Sequence, residues 1–133
     1  MPRKIFINLP VADLDKSKAF FAALGFGFNA QFTNEAAASM VVSDDIYVML
    51  LTPGHFKQFS PLPMADARAT KEVLLCLSCE SRAEVDALVA KAVAAGGTTY
   101  GPPQDHGVMY GHGFQDLDGH AWELMWMDPT FVK

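Results

Sequence analysis

The carboxylate of Glu123 follows a turn and enters a run of large apolar residues near the end of the sequence. The segment from Asp116 to Leu124 reads DLDGHAWEL, and its Asp-Gly pair is a strong turn signal. The aromatic run after the turn is too short for a helix and predicts a strand. Side chains alternate along a strand, so Glu123 shares a face with apolar residues: Ala121, Met125 and Met127. An acid buried in that setting is costly unless it has a partner or a task.

Glu123 is therefore the strongest candidate for chemistry. A carboxyl group can accept a hydrogen bond from a ligand, donate one when it is protonated, or transfer a proton as a general acid or base. A plainer interpretation is that Glu123 is paired inside the fold with a polar side chain: Asn8, Tyr110 or His112. The sequence leaves both interpretations open.

A second candidate is the segment MYGHGF that begins at Met109. Tyr110 and His112 would share one face of a strand, while Gly111 and Gly113 leave the other face bare. Glycine inside a strand often marks the close approach of a ligand or of another backbone. We expect this segment to contact a ligand. The alternative is a bent edge strand with surface tyrosine and histidine side chains.

The two cysteines, Cys76 and Cys79, form a Cys-x-x-Cys pattern, which in redox proteins lies at a helix start. Here the better helix start is Ser81, because its hydroxyl can cap the helix and Glu84 can complete a capping box. Both cysteines then precede the cap, on a strand where residues three apart point to opposite faces. We predict two unlinked, mostly buried thiols.

The chain shows the same order of elements twice. In the first half, a strand at 5–9 and a helix from Asp13 to Gly25 precede three strand-like runs, at 26–32, 38–42 and 46–51. In the second half, a strand at 73–77 and a helix from Ser81 to about residue 95 precede runs at 98–100, 108–114 and 121–127. The repeat predicts an α+β fold in which two βαβββ modules form a curved, partly closed mixed sheet around a cavity.

We expect a single domain over residues 1–133. Its first module would extend over about 3–52, a connector over about 53–70, and the second module over about 71–128. The connector contains prolines and a glycine together with Phe56 and Phe59. These apolar residues predict that it packs against the core or acts as a lid.

The composition narrows the classes of function. A net charge of −5 and an isoelectric point near 5.2 do not suit a nucleic-acid-binding surface, and the basic residues are scattered. The sequence begins without the charged and apolar leader of a secreted protein, and it has no apolar run long enough to span a bilayer. We expect a cytoplasmic protein with no nucleic-acid or membrane partner.

Two motifs carry a family resemblance: LPVADLDKSKAFFAALGF at Leu9 to Phe26 and DLDGHAWE at Asp116 to Glu123. With the repeated βαβββ order they resemble the vicinal oxygen chelate superfamily, which includes glyoxalases, fosfomycin-resistance enzymes, extradiol dioxygenases and bleomycin-binding proteins. The resemblance covers nearly the whole chain and implies a homodimer. Since one fold supports many reactions, it implies the architecture more strongly than the chemistry.

The resemblance implies metal ligands on the first and the last strand of each module. In this sequence those positions fall on Phe6, Leu50, Leu74 and Glu123. Phenyl and alkyl groups offer no lone pair, and a single carboxylate does not hold a cation that usually takes at least two or three protein ligands. We therefore expect no metal and no other cofactor. A relocated metal site built from His106, His112 and Glu123 is the alternative.

In the expected fold, Glu123 faces a cavity lined by residues of both modules. The expected ligand-binding residues are Phe6, Asn8, Leu50, Leu74, Tyr110, His112, Glu123 and Met125, with Val48 and Cys76 as further lining residues. The resemblance implies two candidate functions. One is a bleomycin-resistance-like protein that binds a small organic molecule without metal. The other is a lyase, isomerase or dioxygenase type of enzyme that uses Glu123 as acid or base or has moved its metal. The loss of three ligand positions favours binding.

Overall fold

The computed structural model describes residues 3–131 of the chain. Contacts between residues divide it into two compact units, Met1–Ala65 and Asp66–Lys133. The division falls inside the segment that the sequence predicts to be a connector, and each unit contains one of the predicted modules. The assignment of both modules to a single domain stays a prediction.

The first unit contains four strands and two helices. In chain order these are β1 (Ile5–Pro10), α1 (Leu14–Ala23), β2 (Gly27–Phe28), β3 (Ala37–Val41), β4 (Ile46–Leu51) and α2 (Pro53–Lys57). The strands form one mixed sheet in the order β1-β4-β3-β2, in which β1 is parallel to β4 and the other pairs are antiparallel. A parallel pair needs a long crossover, which α1 and the two following strands supply.

Helix α1 begins where the sequence predicts. The side chain of Asp13 caps it by accepting a hydrogen bond from the backbone N–H of Lys16 at 3.1 Å. Gly25 follows the helix with a φ of 103°, a conformation in which a side chain would be strained. The helix buries Phe20 and Phe21, and the inner residues of β4 are buried as well. These side chains form the core of the first unit.

The second unit repeats this order. Its elements are β5 (Leu74–Ser78), α3 (Arg82–Ala94), β6 (Gln104–Asp105), β7 (Met109–Gln115) and β8 (Ala121–Met127). The strands form a second mixed sheet in the order β5-β8-β7-β6, with β5 parallel to β8. The predicted α+β class and the duplicated module are therefore confirmed, as two four-stranded sheets.

Helix α3 packs on one face of this sheet. Val85 and Val89 of the helix are buried, as are Phe114 of β7 and Trp122 and Leu124 of β8. The rings of Phe114 and Trp122 stack with their centroids 6.3 Å apart. Because these strand residues share one face, the alternating residues of β7 and β8 lie on the face that α3 does not cover.

The turn that joins β7 to β8 is organised by a buried carboxylate. Asp116 accepts hydrogen bonds from the backbone N–H groups of Asp118 and His120, each at 3.0 Å, and from the indole Nε1 of Trp122 at 3.0 Å. Burial raises the pKa of Asp116, while the nearby His120 and these hydrogen bonds act in the opposite direction. The turn therefore aligns β8, and with it Glu123, through contacts within the motif itself.

Three predicted elements differ from the structure. The run at 26–32 forms only the short β2 and then a 3₁₀ turn at Ala30–Phe32, because the side chain of Asn29 caps that turn at Gln31. The run at 98–100 makes a single bridge, Thr98 to Gln115, and the fourth strand of the second sheet is β6. The connector contains α2, which the sequence analysis did not predict, and its Phe59 is 70% exposed.

The cysteines are also less buried than predicted. Cys76 and Cys79 are unlinked, as expected, but Cys76 is exposed and Cys79 is half-buried. Partial burial and the neighbouring Glu84 raise the pKa of Cys79 to about 11, and burial followed by Glu123 raises the pKa of Cys76. Both thiols are therefore protonated at neutral pH, which opposes thiolate chemistry.

Among residues 3–131, the structure contains no helix of the length and apolar character that crossing a membrane requires.

Candidate functional site

A cavity of about 330 Å³ lies in the second unit, on the face of the sheet that α3 does not cover. It is lined by residues of β6, β7, β8 and the segment before β6: Tyr100, Gly101, Pro102, Gln104, His106, Met109, Gly111, His112, Gly113, Glu123 and Met125. Volumes of this size accommodate small organic molecules. The cavity brings Glu123 together with the glycine-rich segment that the sequence analysis singled out.

Glu123 lies in the middle of the sheet, between Gly113 of β7 and Cys76 of β5. The residue is half-buried, which corrects the expectation of a buried acid. Within the described part of the chain, its carboxylate neither accepts a hydrogen bond nor forms an ion pair. A carboxylate with unused acceptor positions at a cavity wall is available to a ligand.

The floor beside Glu123 is made of glycine backbone. Gly111 pairs with Met125 and Gly113 pairs with Glu123, so both glycines share the cavity side of the sheet. A Cβ atom at Gly113 would lie 2.8 Å from the carbonyl oxygen of Trp122 and 3.6 Å from the carboxyl carbon of Glu123. Glycine at this position therefore keeps open the space next to the carboxylate.

His112 holds one wall of the cavity in place. Its Nε2 lies 3.0 Å from the hydroxyl of Thr99 and 3.2 Å from the carbonyl oxygen of Gly101. A carbonyl oxygen only accepts, so Nε2 carries the hydrogen and donates it. The Thr99 hydroxyl in turn donates to the carbonyl of Gly113 at 2.8 Å. These bonds fix the residues on both sides of Tyr100, whose ring lines the cavity.

Tyr100 stands close to Glu123. A Cβ atom placed on Gly113 would lie 3.6 Å from the Tyr100 hydroxyl oxygen and also 3.6 Å from the Glu123 carboxyl carbon. The two polar groups therefore flank the same gap above Gly113. Partial burial raises the pKa of Tyr100, and the negative charge of Glu123 adds to that effect. At neutral pH the Tyr100 hydroxyl is therefore a hydrogen-bond donor beside an acceptor.

Arg82 holds the loop between β6 and β7 in place. Its guanidinium group forms an ion pair with Asp105 at 2.6 Å and donates to the carbonyl of Gly107 at 2.7 Å. It also lies over two aromatic rings, 5.2 Å from the centroid of Tyr110 and 5.1 Å from that of Trp126. The hydrogen bond from Arg82 lowers the pKa of Asp105. Helix α3 thereby anchors the loop that presents Gln104 and His106.

Tyr110 does not belong to the cavity. Its neighbours in the register place it on the face covered by α3, and its hydroxyl donates to the carboxylate of Asp86 at 2.6 Å. The expectation that Tyr110 and His112 share a binding face with Glu123 is therefore wrong, because both residues alternate along β7 with Gly111 and Gly113, which face the cavity. The expectation that Glu123 is paired with Tyr110 or His112 is wrong as well, because both of those side chains bond elsewhere.

The first unit requires a further correction. In the parallel pair of β1 and β4, Phe6 pairs with Tyr47 and Asn8 pairs with Met49, whereas Leu50 pairs with Leu9. Leu50 thus lies on the opposite face from Phe6, and it is completely buried in the core with Val48. Leu50 and Val48 are not cavity residues. The β4 residues that share the face of Phe6 and Asn8 are Tyr47 and Met49, and Met49 is the one adjacent to Leu50.

The other predicted positions are accessible. Phe6 is 55% exposed and stacks on Tyr47 with the ring centroids 5.1 Å apart. Leu74 is 61% exposed, on the same face of its sheet as Cys76 and Glu123. Met125 lines the cavity beside Glu123.

The residues at the metal-ligand positions do not fit a metal ion. Replacing Leu50 by Met49 still leaves a phenyl, a thioether and an isobutyl group besides the Glu123 carboxylate. Over residues 3–131, no three His, Cys, Asp or Glu side chains come close enough together to hold a metal. The residues of the alternative site, His106, His112 and Glu123, all line the cavity, but within residues 3–131 they do not come together as a group that could hold a metal.

Comparison with known proteins agrees with this architecture. A family model described as Bleomycin resistance protein-like N-terminal matches residues 3–43. A hypothetical protein from S. aureus is 32% identical, with a TM-score of 0.80 over 95% of this chain and 94% of that one. The chain belongs to the vicinal oxygen chelate superfamily. No curated protein matches it.

Other members of the superfamily share the fold at lower identity. A glyoxalase/bleomycin resistance protein/dioxygenase family enzyme from Burkholderia phytofirmans is 18% identical, with a TM-score of 0.75 over 92% of this chain and 96% of that one. The fosfomycin resistance protein FosX from Listeria monocytogenes is also 18% identical, with a TM-score of 0.67 over 95% and 93% of the two chains. At this identity the likeness shows the fold alone.

Sequence reasoning missed part of the cavity. Tyr100 and Gln104 lie on either side of Gly101-Pro102-Pro103, between the predicted runs at 98–100 and 108–114. Met109 begins the strand that the analysis did single out. An aromatic residue directly before a Gly-Pro-Pro turn was the available signal, because such turns are rigid and often present side chains to a site.

Proposed function

We propose that this protein binds a small organic molecule in the cavity of its second unit, without the metal ion that the superfamily implies. The observation that carries the proposal is the Glu123 carboxylate, which has no partner within the described residues and stands beside a glycine floor. A half-buried acid with unused acceptor positions can accept hydrogen bonds from a ligand that displaces water from it.

Two further observations support binding over metal-dependent catalysis. The metal-ligand positions carry groups that do not coordinate a hard cation. The match of residues 3–43 to a bleomycin-resistance model favours ligand sequestration as the activity. The net charge of −5 suits a cationic ligand, because a negative surface attracts it from solution.

In this proposal Glu123 accepts hydrogen bonds from the ligand and Met125 contacts its apolar part. His112 acts through Tyr100, which it positions. The contacts of the ligand with Phe6, Asn8 and Leu74, which the sequence predicts from strand alternation, stay predictions.

Calorimetric titration with bleomycin, a cationic drug, tests the proposal. Wild-type protein should bind it, and Glu123→Gln, which keeps the shape but removes the charge, should bind at least about tenfold more weakly because a charge-assisted hydrogen bond is lost. Soaking crystals with bleomycin and with a library of small cations extends the test to other ligands. A cavity that stays empty in every soak, with no heat in the titration, would contradict the proposal.

A second candidate function is supported by the pairing of Tyr100 with Glu123. A donor and an acceptor flanking one gap are the parts that acid and base catalysis requires. In that case Glu123 removes a proton from the substrate and returns it, with Tyr100 stabilising the developing charge. Turnover of the methylglyoxal–glutathione hemithioacetal by metal-free protein, abolished in Glu123→Gln, would favour this alternative.

We also propose the homodimer that the resemblance implies. Light scattering after size-exclusion chromatography measures the mass directly. A value near 14.5 kDa, the mass of one chain, would contradict it.

A further inference from the structure

The floor of the cavity has an unusual surface for a strand. Gly111 and Gly113 both face the cavity, so no side chain rises from β7 between Met109 and the end of the cavity. Residues two apart on a strand are separated by about 6.8 Å, so the two glycines leave a stretch of backbone of about this length without a side chain on the cavity face. This stretch of bare backbone forms a flat surface on which a planar group of a ligand can lie.

The rim of this floor favours aromatic groups. Met109 and Met125 line the cavity next to the glycines, and thioether sulfur makes favourable contacts with aromatic rings. The ring of Tyr100 closes another side. A flat ring placed on the strand would therefore meet sulfur and aromatic surface at its edges.

The charge of the site favours a cation. Of the residues described as lining the cavity, Glu123 is the one acid, and neither lysine nor arginine is among them. Its carboxylate has two oxygens and accepts paired N–H groups in a bidentate geometry. His112 lies between the two glycines in the sequence, but its Nε2–H points towards Gly101 and Thr99 and is therefore not offered to a ligand.

We propose that the cavity selects a planar cation whose charge is shared by adjacent N–H groups, such as an arylamidine or a protonated aminoheterocycle. The ring lies on Gly111 and Gly113, and the N–H edge pairs with the carboxylate of Glu123. This inference rests on the proposed function and names its ligand class. A neutral ring leaves the carboxylate unpaired, and a compact ammonium group leaves the floor uncovered.

Three probes separate the two requirements. Benzamidine is planar and cationic, benzamide is planar and neutral, and cyclohexanecarboxamidine is cationic with a puckered ring. Each is titrated into ¹⁵N-labelled wild-type protein, and the amide signals of Gly111 and Gly113 are followed by NMR. We expect benzamidine to shift both glycine signals and to bind at least about tenfold more tightly than either control, since each control lacks one of the two interactions.

Two variants assign the effect to the two parts of the site. Glu123→Gln should remove the preference for benzamidine over benzamide. Gly111→Ala should remove the preference for benzamidine over cyclohexanecarboxamidine, because its methyl group rises from the floor. This variant is expected to fold, as the added Cβ would lie 3.4 Å from the nearest atom, the carbonyl oxygen of Leu124.

The outcomes distinguish this inference from the proposed function. Equal binding of the three probes, or none by benzamidine, would overturn the inference. If bleomycin or a soaked cation still occupied the cavity in a Glu123-dependent manner, the proposed function would stand without it. If no molecule occupied the cavity, both would fall.

Discussion

The indole Nε1 of Trp122 donates a hydrogen bond of 3.0 Å to Oδ2 of Asp116. This bond joins the first residue of the DLDG turn to the buried face of β8. Trp122 is 1% exposed and Asp116 is 6% exposed, so neither partner has ready access to water. The residue after Trp122 is Glu123, on the opposite face. The bond that orders the turn therefore also sets the position of the candidate ligand-binding acid.

Trp122→Phe should destabilise the protein by about 1–3 kcal/mol, because it leaves a buried oxygen of Asp116 with one partner fewer. Urea denaturation measures the change. Trp126→Phe is the matched control, since a phenyl ring there still lies under Arg82. An equal cost for both variants would show that lost aromatic volume, rather than the hydrogen bond, is responsible.

Asp116→Asn should destabilise the protein more at low pH than at neutral pH. Burial raises the pKa of Asp116 above its ordinary value of 3.8, so the folded state binds this proton more tightly than the unfolded state does. The stability contributed by Asp116 is greatest below pH 3.8 and falls as the pH rises through its folded pKa. Urea denaturation of both proteins between pH 3 and 8 gives the difference. If the difference in unfolding free energy between wild type and variant grew with pH, the pKa of Asp116 would not be raised in the folded state.

Gly113→Ala should cost about 1–3 kcal/mol in stability, because its Cβ would lie only 2.8 Å from the carbonyl oxygen of Trp122. Gly111→Ala is the matched control on the same strand face, where the nearest atom would be 3.4 Å away. Its stability should stay within about 1 kcal/mol of wild type. Chemical denaturation compares the two, and identical effects would refute the close approach at Gly113.

His112→Phe should loosen the segment around Tyr100 without unfolding the sheet. The variant keeps a ring but loses the donor that reaches Thr99 and Gly101. Hydrogen exchange at residues 99–101 should become at least about tenfold faster, corresponding to the loss of roughly 1.4 kcal/mol of local stability. Exchange in α3 should not change. Unaltered exchange at 99–101 would remove His112 as a positioning residue.

Arg82→Met should raise the pKa of Asp105. The hydrogen bond from Arg82 is the main reason that this pKa lies below 3.8, and methionine keeps the apolar stem without the charge. Carbon-detected NMR follows the Asp105 carboxyl during titration. Asp128 is an internal control, because its lowered pKa depends on Thr130 and should not move. If the pKa of Asp105 stayed low in the variant, the hydrogen bond from the backbone N–H of Gly107 would be its main cause instead.

Local pattern was sufficient for much of the fold. The helices α1 and α3 begin after the residues expected to cap them, since a cap is a contact between neighbours in sequence. Strand β8 has the predicted bounds, and the predicted face of Glu123 follows from alternation within that strand. The Ser81 hydroxyl accepts a hydrogen bond from the backbone N–H of Glu84, as predicted. In a capping box the Glu84 carboxylate would bond to the N–H of Ser81, but here it accepts from the N–H of Glu80.

Register was harder to predict than the existence of strands. Leu50 was placed beside Phe6 by counting from the end of a strand, and an error of one residue moves a side chain to the other face. The pairing of Phe6 with Tyr47 shows the error, because the face of Phe6 continues through Met49. The prediction for Tyr110 was wrong for a related reason. Alternation within β7 was predicted correctly, but the face of β7 that carries Tyr110 aligns with Trp126 of β8 and not with Glu123.

Three features could be inferred from local sequence alone: the duplicated module, the turn that starts β8, and an acid on a strand beside a glycine-rich neighbour. The residues that enclose this acid are known only from the folded structure. Tyr100 reaches the cavity because His112 bonds to Gly101, and His106 reaches it because Arg82 binds Asp105. These contacts join residues far apart in the chain, and no local propensity or periodicity encodes such distances.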